Sequence, residues 1–353
     1  MHFTNKIKNI GLDNIAKKKV VNIYLRKSAL GQFSIEKLFS GIVEGFKENR
    51  DFDVRLIVMP YLSKGFLNRV KNILFANRQV ADIHHISGDI HYLTFAFSRK
   101  KSILTIHDLG LLYFLKGTKS IVFKLLWFTI PIWWTKKIIA ISNKTRKDLN
   151  YFIKNNDVKI SVIPNYIHEK YLIDLKEKNL NSPPIILHIG TAPHKNLIRL
   201  VDAVYGLDIV LHIVGILSDE TKLLLNQSNI SYNNYLNLSD DELIQMYLNS
   251  DIVYFASTFE GFGMPVLEGQ ALGIPVITSN ISPMKELAFD GSVYFVNPYA
   301  ASEIRNAILD ILCNDMLRKN LILLGRKNAE RYKIQEIINE YSRIYKELLN
   351  EGN

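Results

Sequence analysis

Short runs of β-branched and aromatic residues alternate with longer amphipathic stretches along almost the whole chain, and turn formers mark most changes of pattern. Residues 20–25, 53–59, 82–87, 102–106, 137–142 and 159–165 read as a first series of strands. Helical stretches at 34–49, 63–76 and 92–97 separate the early ones. In 34–49, Ile35, Leu38, Phe39, Ile42 and Val43 share one face behind a Ser34 cap. Residues 169–184 lose periodicity and gain Lys, Glu, Asn, Ser and Pro, as a linker does. A second series of strands follows at 185–189, 209–214, 251–256, 274–278 and 292–295, with helices from Leu197, at 239–248 behind Ser239, at 301–331 and at 335–349. The alternation predicts an α/β chain of doubly wound parallel sheets. At 353 residues it is long for one domain and sufficient for two.

The stretch 251–298, DIVYFASTFEGFGMPVLEGQALGIPVITSNISPMKELAFDGSVYFVNP, carries the most chemistry. It reads as strand, glycine-bearing loop, helix and strand, with Pro265 suited to the first helical turn and Gly273 to the left-handed position past the end. Ligands of open parallel sheets bind beyond the carboxyl ends of the strands, here at 257–264. Gly261 and Gly263 allow close backbone approach, and the N–H groups from Gly261 through Phe262 to Met264 suit a phosphate. Glu260 and Glu268 flank that loop. Glu268 follows Val266 and Leu267 in an apolar segment, so its carboxylate needs donors that sugar hydroxyls would supply. A second anion site is expected at 190–196, where Gly190 turns the chain and Lys195 precedes a helix.

The two glutamates seven residues apart, with GFGMPVL between and ALGIPVITS after, resemble the E-x7-E signature of family 4 glycosyltransferases of the GT-B fold. The resemblance runs over nearly the whole chain. It implies two Rossmann-like domains facing a central cleft: 1–168 on the acceptor side, a linker at 169–184, a nucleotide-sugar domain at 185–332, and a helix at 333–353 returning to the first domain. It implies that Glu260 contacts the donor sugar and Glu268 the ribose, and that His107, in the run Thr105-Ile106-His107-Asp108, lies beside the transferred sugar. Gly31 resembles the family's diphosphate-facing loop glycine, and Tyr235 falls where the base is held. Thr191 stands where the family has an Arg, leaving compensation to His194 or a first-domain residue. The activity implied is retaining transfer from a nucleoside-diphosphate sugar to a lipid-linked saccharide acceptor, in surface polysaccharide or lipopolysaccharide synthesis, with no cofactor and no metal. A nucleotide-sugar epimerase of the same fold, or a non-catalytic membrane scaffold, stays open at this point.

Charge separates the halves. Through Leu180 there are 31 Lys and Arg against 14 Asp and Glu; beyond it, 13 against 20. A basic first half suggests an anionic partner, and nucleic acid is disfavoured because no nucleic-acid-binding motif accompanies the charge. Residues 110–137 mix aromatics, including every tryptophan, with lysines, and read as a segment able to lie in a membrane interface. Its most apolar span, 121–134, contains Lys124 and Pro131 and is shorter than the roughly 20 residues of a crossing helix. One cysteine, Cys313, and no cleavable signal in 1–19 suggest a cytoplasmic enzyme peripheral to the inner membrane face.

Overall fold

The computed structural model describes residues 17–27, 34–114, 117–153, 159–173 and 179–352. Among these residues twelve strands form two six-stranded sheets in which every pairing is parallel. The first contains β1 (Lys19–Leu25), β2 (Phe52–Val58), β3 (Ile83–Ile86), β4 (Ser102–Ile106), β5 (Lys137–Ala140) and β6 (Lys159–Val162), in the order β2-β1-β3-β4-β5-β6. The second contains β7 (Ile185–Ile189), β8 (Val210–Val214), β9 (Ser231–Tyr235), β10 (Ile252–Phe255), β11 (Val276–Ser279) and β12 (Tyr294–Val296), in the order β12-β11-β10-β7-β8-β9.

The central strands are apolar on both sides because helices cover both faces. All five residues of β4 are buried, and successive β1 residues enter different cores: Ile23 packs with Phe39 and Ile42, Tyr24 with Ile86 and Phe97. The strand orders create one switch point per sheet, between β1 and β3 and between β7 and β10, where neighbouring crossovers leave on opposite faces and a crevice opens at the carboxyl ends. These two edges face each other.

The chain crosses between the domains twice, and the crossings pair: the Ile167 N–H donates to the Tyr332 carbonyl at 2.8 Å, and Ile167 bridges Lys333. Helix Ile334–Gly352 then buries Ile337, Tyr341, Ile344 and Tyr345 on the first sheet. Lys137, 1% exposed, is held there by Glu347 at 3.3 Å and Glu351 at 2.5 Å.

Three boundaries differ from expectation. The stretch 301–331 is two helices, Ala301–Cys313 and Asp315–Ala329, because the Asn314 side chain caps the Leu317 N–H at 3.0 Å and restarts the helix. The first helix ends at Gly45, short of 49. Residues 92–97 are a tight 3-10 turn, His91–Ala96. Among the described residues no helix is long and apolar enough to cross a membrane.

Candidate active site

The second sheet's switch point places two loops side by side. After β7, Gly190 takes a left-handed φ of 91°, and Lys195 folds back across it; a Cβ on Gly190 would stand 3.1 Å from the lysine stem. After β10, the loop brings Glu260 to Lys195, whose Nζ donates to Oε1 at 2.6 Å. Their side chains are 21% and 12% exposed, so the pair is screened yet still reachable from the cleft. The loops are locked together by the Thr258 N–H donating to the His194 carbonyl at 2.8 Å. Beneath them Asn196, left-handed and buried, donates to the carbonyls of Ala256 at 3.0 Å and Pro298 at 2.7 Å, fixing three strand ends.

Helix Met264–Ala271 starts at Gly263, which has φ 111°, and carries Pro in its first turn. One turn on, Glu268 is half-buried and accepts the Tyr247 hydroxyl at 2.6 Å. Burial pushes the Glu268 carboxyl above the ordinary glutamate value and the Tyr247 bond draws it back in part. Gly273 ends the helix with φ 65°.

Across the cleft, His107 stands at the end of β4. Its Nε2 lies 2.7 Å from the Ser87 carbonyl, an acceptor, so Nε2 carries a proton. Burial holds the imidazole below its ordinary value, so the ring is neutral near pH 7 and Nδ1 is left as an acceptor. Room for the ring comes from Gly88, φ 101°, where a Cβ would meet Cδ2 at 2.5 Å. Arg26, at the end of β1, pairs with Glu36 at 3.0 Å and with Asp89. It supplies a cation at the first sheet's switch point.

The two walls touch. A Cβ on Gly261 would lie 2.7 Å from the His107 carbonyl oxygen and 3.1 Å from the Asp108 Cβ. Beside this contact the Phe259 ring packs on Tyr113, 5.5 Å between centroids, with the Lys144 ammonium 4.7 Å over Phe259. Lys37 of the first domain reaches Asp240 of the second at 2.5 Å.

Several anticipated residues are thus brought together: Lys195, Glu260, Gly190, His194, Gly261 and Gly263 on one wall, His107 opposite. The side chains of the others are engaged within the protein. The Phe262 ring is 6% exposed and packs on Tyr332, so only its backbone is available to a ligand, and Met264 packs against the same core. The Thr191 hydroxyl donates to the Ile216 carbonyl at 2.6 Å, tying the loop after β7 to the loop after β8. The Tyr235 carbonyl accepts the Gly215 N–H at 3.0 Å. Gly31 lies outside the described residues. An Asp-x-Asp triplet, a spacing able to hold a divalent cation, does occur at Asp51-Phe52-Asp53. It sits at the amino end of β2, away from the cleft, with Asp51 paired to Lys346 and Asp53 to Arg55. His84, His85 and His91 are buried structural groups, bonded to Tyr24, Thr105 and the Trp127 carbonyl at 2.7–2.8 Å.

Arg26, Gly88, Tyr247 and Phe259 were not anticipated. Gly88 had a local signal, Ser87-Gly88-Asp89 at a strand end. The others depend on partners distant in sequence.

The family described as glycosyl transferases group 1 matches residues 173–328. An uncharacterized glycosyltransferase of Methanocaldococcus jannaschii is 25% identical over 251 residues, spanning 70% of this chain and 68% of that protein. The O-antigen biosynthesis glycosyltransferase WclY of Escherichia coli is 26% identical over 280 residues, 71% of this chain and 73% of its own. The structure of Anabaena HepE in complex with UDP and glucose superposes with a TM-score of 0.73 at 16% identity, covering 93% of this chain and all of that one. With two parallel six-stranded sheets opposed across a cleft, this chain is a glycosyltransferase of the GT-B fold whose second domain matches the group 1 family over residues 173–328.

Proposed function

We propose that this enzyme moves a sugar, with retention of configuration, from a nucleoside-diphosphate sugar to a lipid-linked saccharide during synthesis of a surface polysaccharide. The observation that carries the reading is the Lys195–Glu260 pair at the second sheet's switch point, opposite His107. The names of similar proteins support it: WclY acts in O-antigen biosynthesis, and HepE is seen with UDP and glucose.

In this reading the diphosphate takes Lys195 from Glu260, and the freed carboxylate turns to the donor sugar's hydroxyls. As the bond from the anomeric carbon to the β-phosphate oxygen breaks, charge gathers on the diphosphate. Lys195 and the N–H groups at the start of helix Met264–Ala271 meet that charge already oriented, which makes them effective without reorganisation. No metal is assigned a part. The acceptor oxygen bonds to the same carbon, and its proton leaves with the diphosphate. Glu268, steadied by Tyr247, accepts the ribose hydroxyls. His107 offers Nδ1 to a sugar hydroxyl. Arg26 and Asp89 shape the opposite wall, and the closed contact at Gly261 keeps water from the donor. The acceptor is presented at an anionic membrane, to which the basic first domain is drawn.

The test is a panel of nucleotide sugars scored for binding and slow hydrolysis, comparing wild type with Glu268→Ala and Glu260→Ala. One donor should bind, Glu268→Ala should abolish binding, and Glu260→Ala should lose turnover more than affinity. A folded wild-type sample that binds neither donor nor free nucleotide would overturn the reading.

A further inference from the structure

We infer that the first domain carries a built docking surface for an anionic lipid bilayer, formed by the helical segment between β4 and β5. This deepens the lipid-linked acceptor reading and rests on it. The segment is Thr118–Phe123, a π-helical stretch Lys124–Thr129, and Ile130–Trp133. It is apolar on both sides. Its inner side places Phe128 and Ile132 in the core of the first domain. Its outer side leaves Ile121, Val122, Leu125, Leu126, Trp133 and Trp134 between 44% and 68% exposed. Residues spaced by four and by seven or eight share that side, so the exposed groups form one stripe about 20 Å long at the rise of a helix. Phe95, 41% exposed, extends it through an edge contact with Trp134, 6.2 Å between centroids.

Charge identifies the occupant. Between Asp108 and Asp148 the sequence has no Asp or Glu and eight Lys and Arg, of which Lys136, Lys137 and Lys144 are paired with carboxylates outside that stretch. At the tryptophan end, the Trp134 indole donates to the Phe97 carbonyl at 3.2 Å, and two residues on begins the exposed basic turn Arg99–Lys101. Indole rings bordered by cations suit the headgroup boundary, where the rings sit at the acyl edge and the cations meet phosphates. A second copy of this face would bring equal positive charge against it. The connection that carries the stripe starts at Gly110, against Phe259 at the cleft.

All three tryptophans lie in this segment, Trp133 and Trp134 on its outer side and Trp127 against the core, so intrinsic fluorescence reports on the surface through two of them. The full chain is mixed with vesicles of equal parts phosphatidylglycerol and phosphatidylcholine, or phosphatidylcholine alone, and followed by emission and co-sedimentation. Wild type should shift to the blue and sediment with the anionic vesicles. The double variant Ile121→Glu/Leu126→Glu should lose at least about tenfold in partitioning. Arg99→Glu/Lys100→Glu should lose roughly fivefold or more per cation and show a weaker salt dependence. Both variants should bind the donor nucleotide and melt like wild type, which separates loss of docking from loss of fold. Wild type that stays in solution with anionic vesicles, or variants that sediment as it does, would overturn the proposal. So would a lipid-free dimer that Ile121→Glu/Leu126→Glu dissolves, because the face would then belong to a second copy. None of these results bears on donor binding, which is measured separately.

Discussion

Gly261→Ala isolates domain closure from donor binding. The new Cβ would stand 2.7 Å from the His107 carbonyl oxygen, whereas a carbon and a carbonyl oxygen rest in good contact at roughly 3.3 Å. The shortfall is met by backbone, since the obstructing atom cannot swing aside as a side chain could. Gly261 lacks the left-handed φ of Gly263, so alanine suits its own conformation and the penalty falls on the contact with the other domain. Forced over-packing typically costs about 1–3 kcal/mol, which moves an open–closed equilibrium by roughly 5- to 150-fold. We therefore expect kcat/KM to fall by about one to two orders of magnitude while free nucleotide, whose proposed partners Lys195 and Glu268 lie on one domain, binds within about threefold of wild type. The melting temperature should hold, because neither core changes. Gly110→Ala is the milder companion: its Cβ would meet the Asp108 and Phe259 side chains at 3.0 Å, and both can yield. Steady-state kinetics with calorimetric nucleotide binding decides the matter. If Gly261→Ala keeps kcat/KM within about twofold, the closed contact is unnecessary for turnover. If affinity and turnover fall together, Gly261 acts through the ligand and the closure argument fails.

Tyr247→Phe removes the donor to Glu268 at nearly constant volume, so the carboxyl, already raised by burial, rises further. Nucleotide affinity should weaken about three- to tenfold near neutrality, and its acid limb should move to higher pH; an unmoved limb would show that Glu268 does not titrate with binding. A second expectation concerns acid stability. Burial lowers His84 to about 4, His85 to about 3 and His91 to about 4, all from 6.5. The unfolded chain takes up these protons first, so stability is full above about pH 6.5 and is lost as pH falls toward the folded values, by up to about 1.4 kcal/mol per pH unit for each histidine. Urea midpoints should drop steadily between about pH 6.5 and 5; a flat profile there would mean that these rings are not held neutral.

What could be read from sequence follows from where each residue's partner lies. The strands and the unit around Glu260 and Glu268 were legible because hydrophobic runs, Pro265 and Gly273 act within one turn of themselves. The break at Asn314 was also legible in principle: an Asn followed by Asp315 is a helix start, hidden inside a long amphipathic pattern. Strand order is not written locally, and so neither was Arg26 beside Asp89, 63 residues on, nor Tyr247 under Glu268, 21 residues on. Phe262 and Thr191 each occupy a motif position at a strand end, and their side chains are engaged by neighbours that the local sequence does not announce, the Tyr332 ring and the Ile216 carbonyl.

The glycines join the two kinds of information. Gly190, Gly88 and Gly261 look alike in sequence, as small residues at strand ends. In the fold each is small because of one particular neighbour: the Lys195 stem, the His107 ring and the His107 carbonyl. Two of these three neighbours belong to the same histidine, one reached from within its own domain and one from across the cleft. A Cβ at Gly88 would displace the ring, and a Cβ at Gly261 would hold the domains apart, so His107 is positioned by both ends of the cleft at once. The two constraints differ in kind: Gly88 makes room for the imidazole itself, whereas the carbonyl that Gly261 meets would be there whatever residue stood at 107, so Gly88→Ala perturbs the ring and Gly261→Ala perturbs only the closed contact.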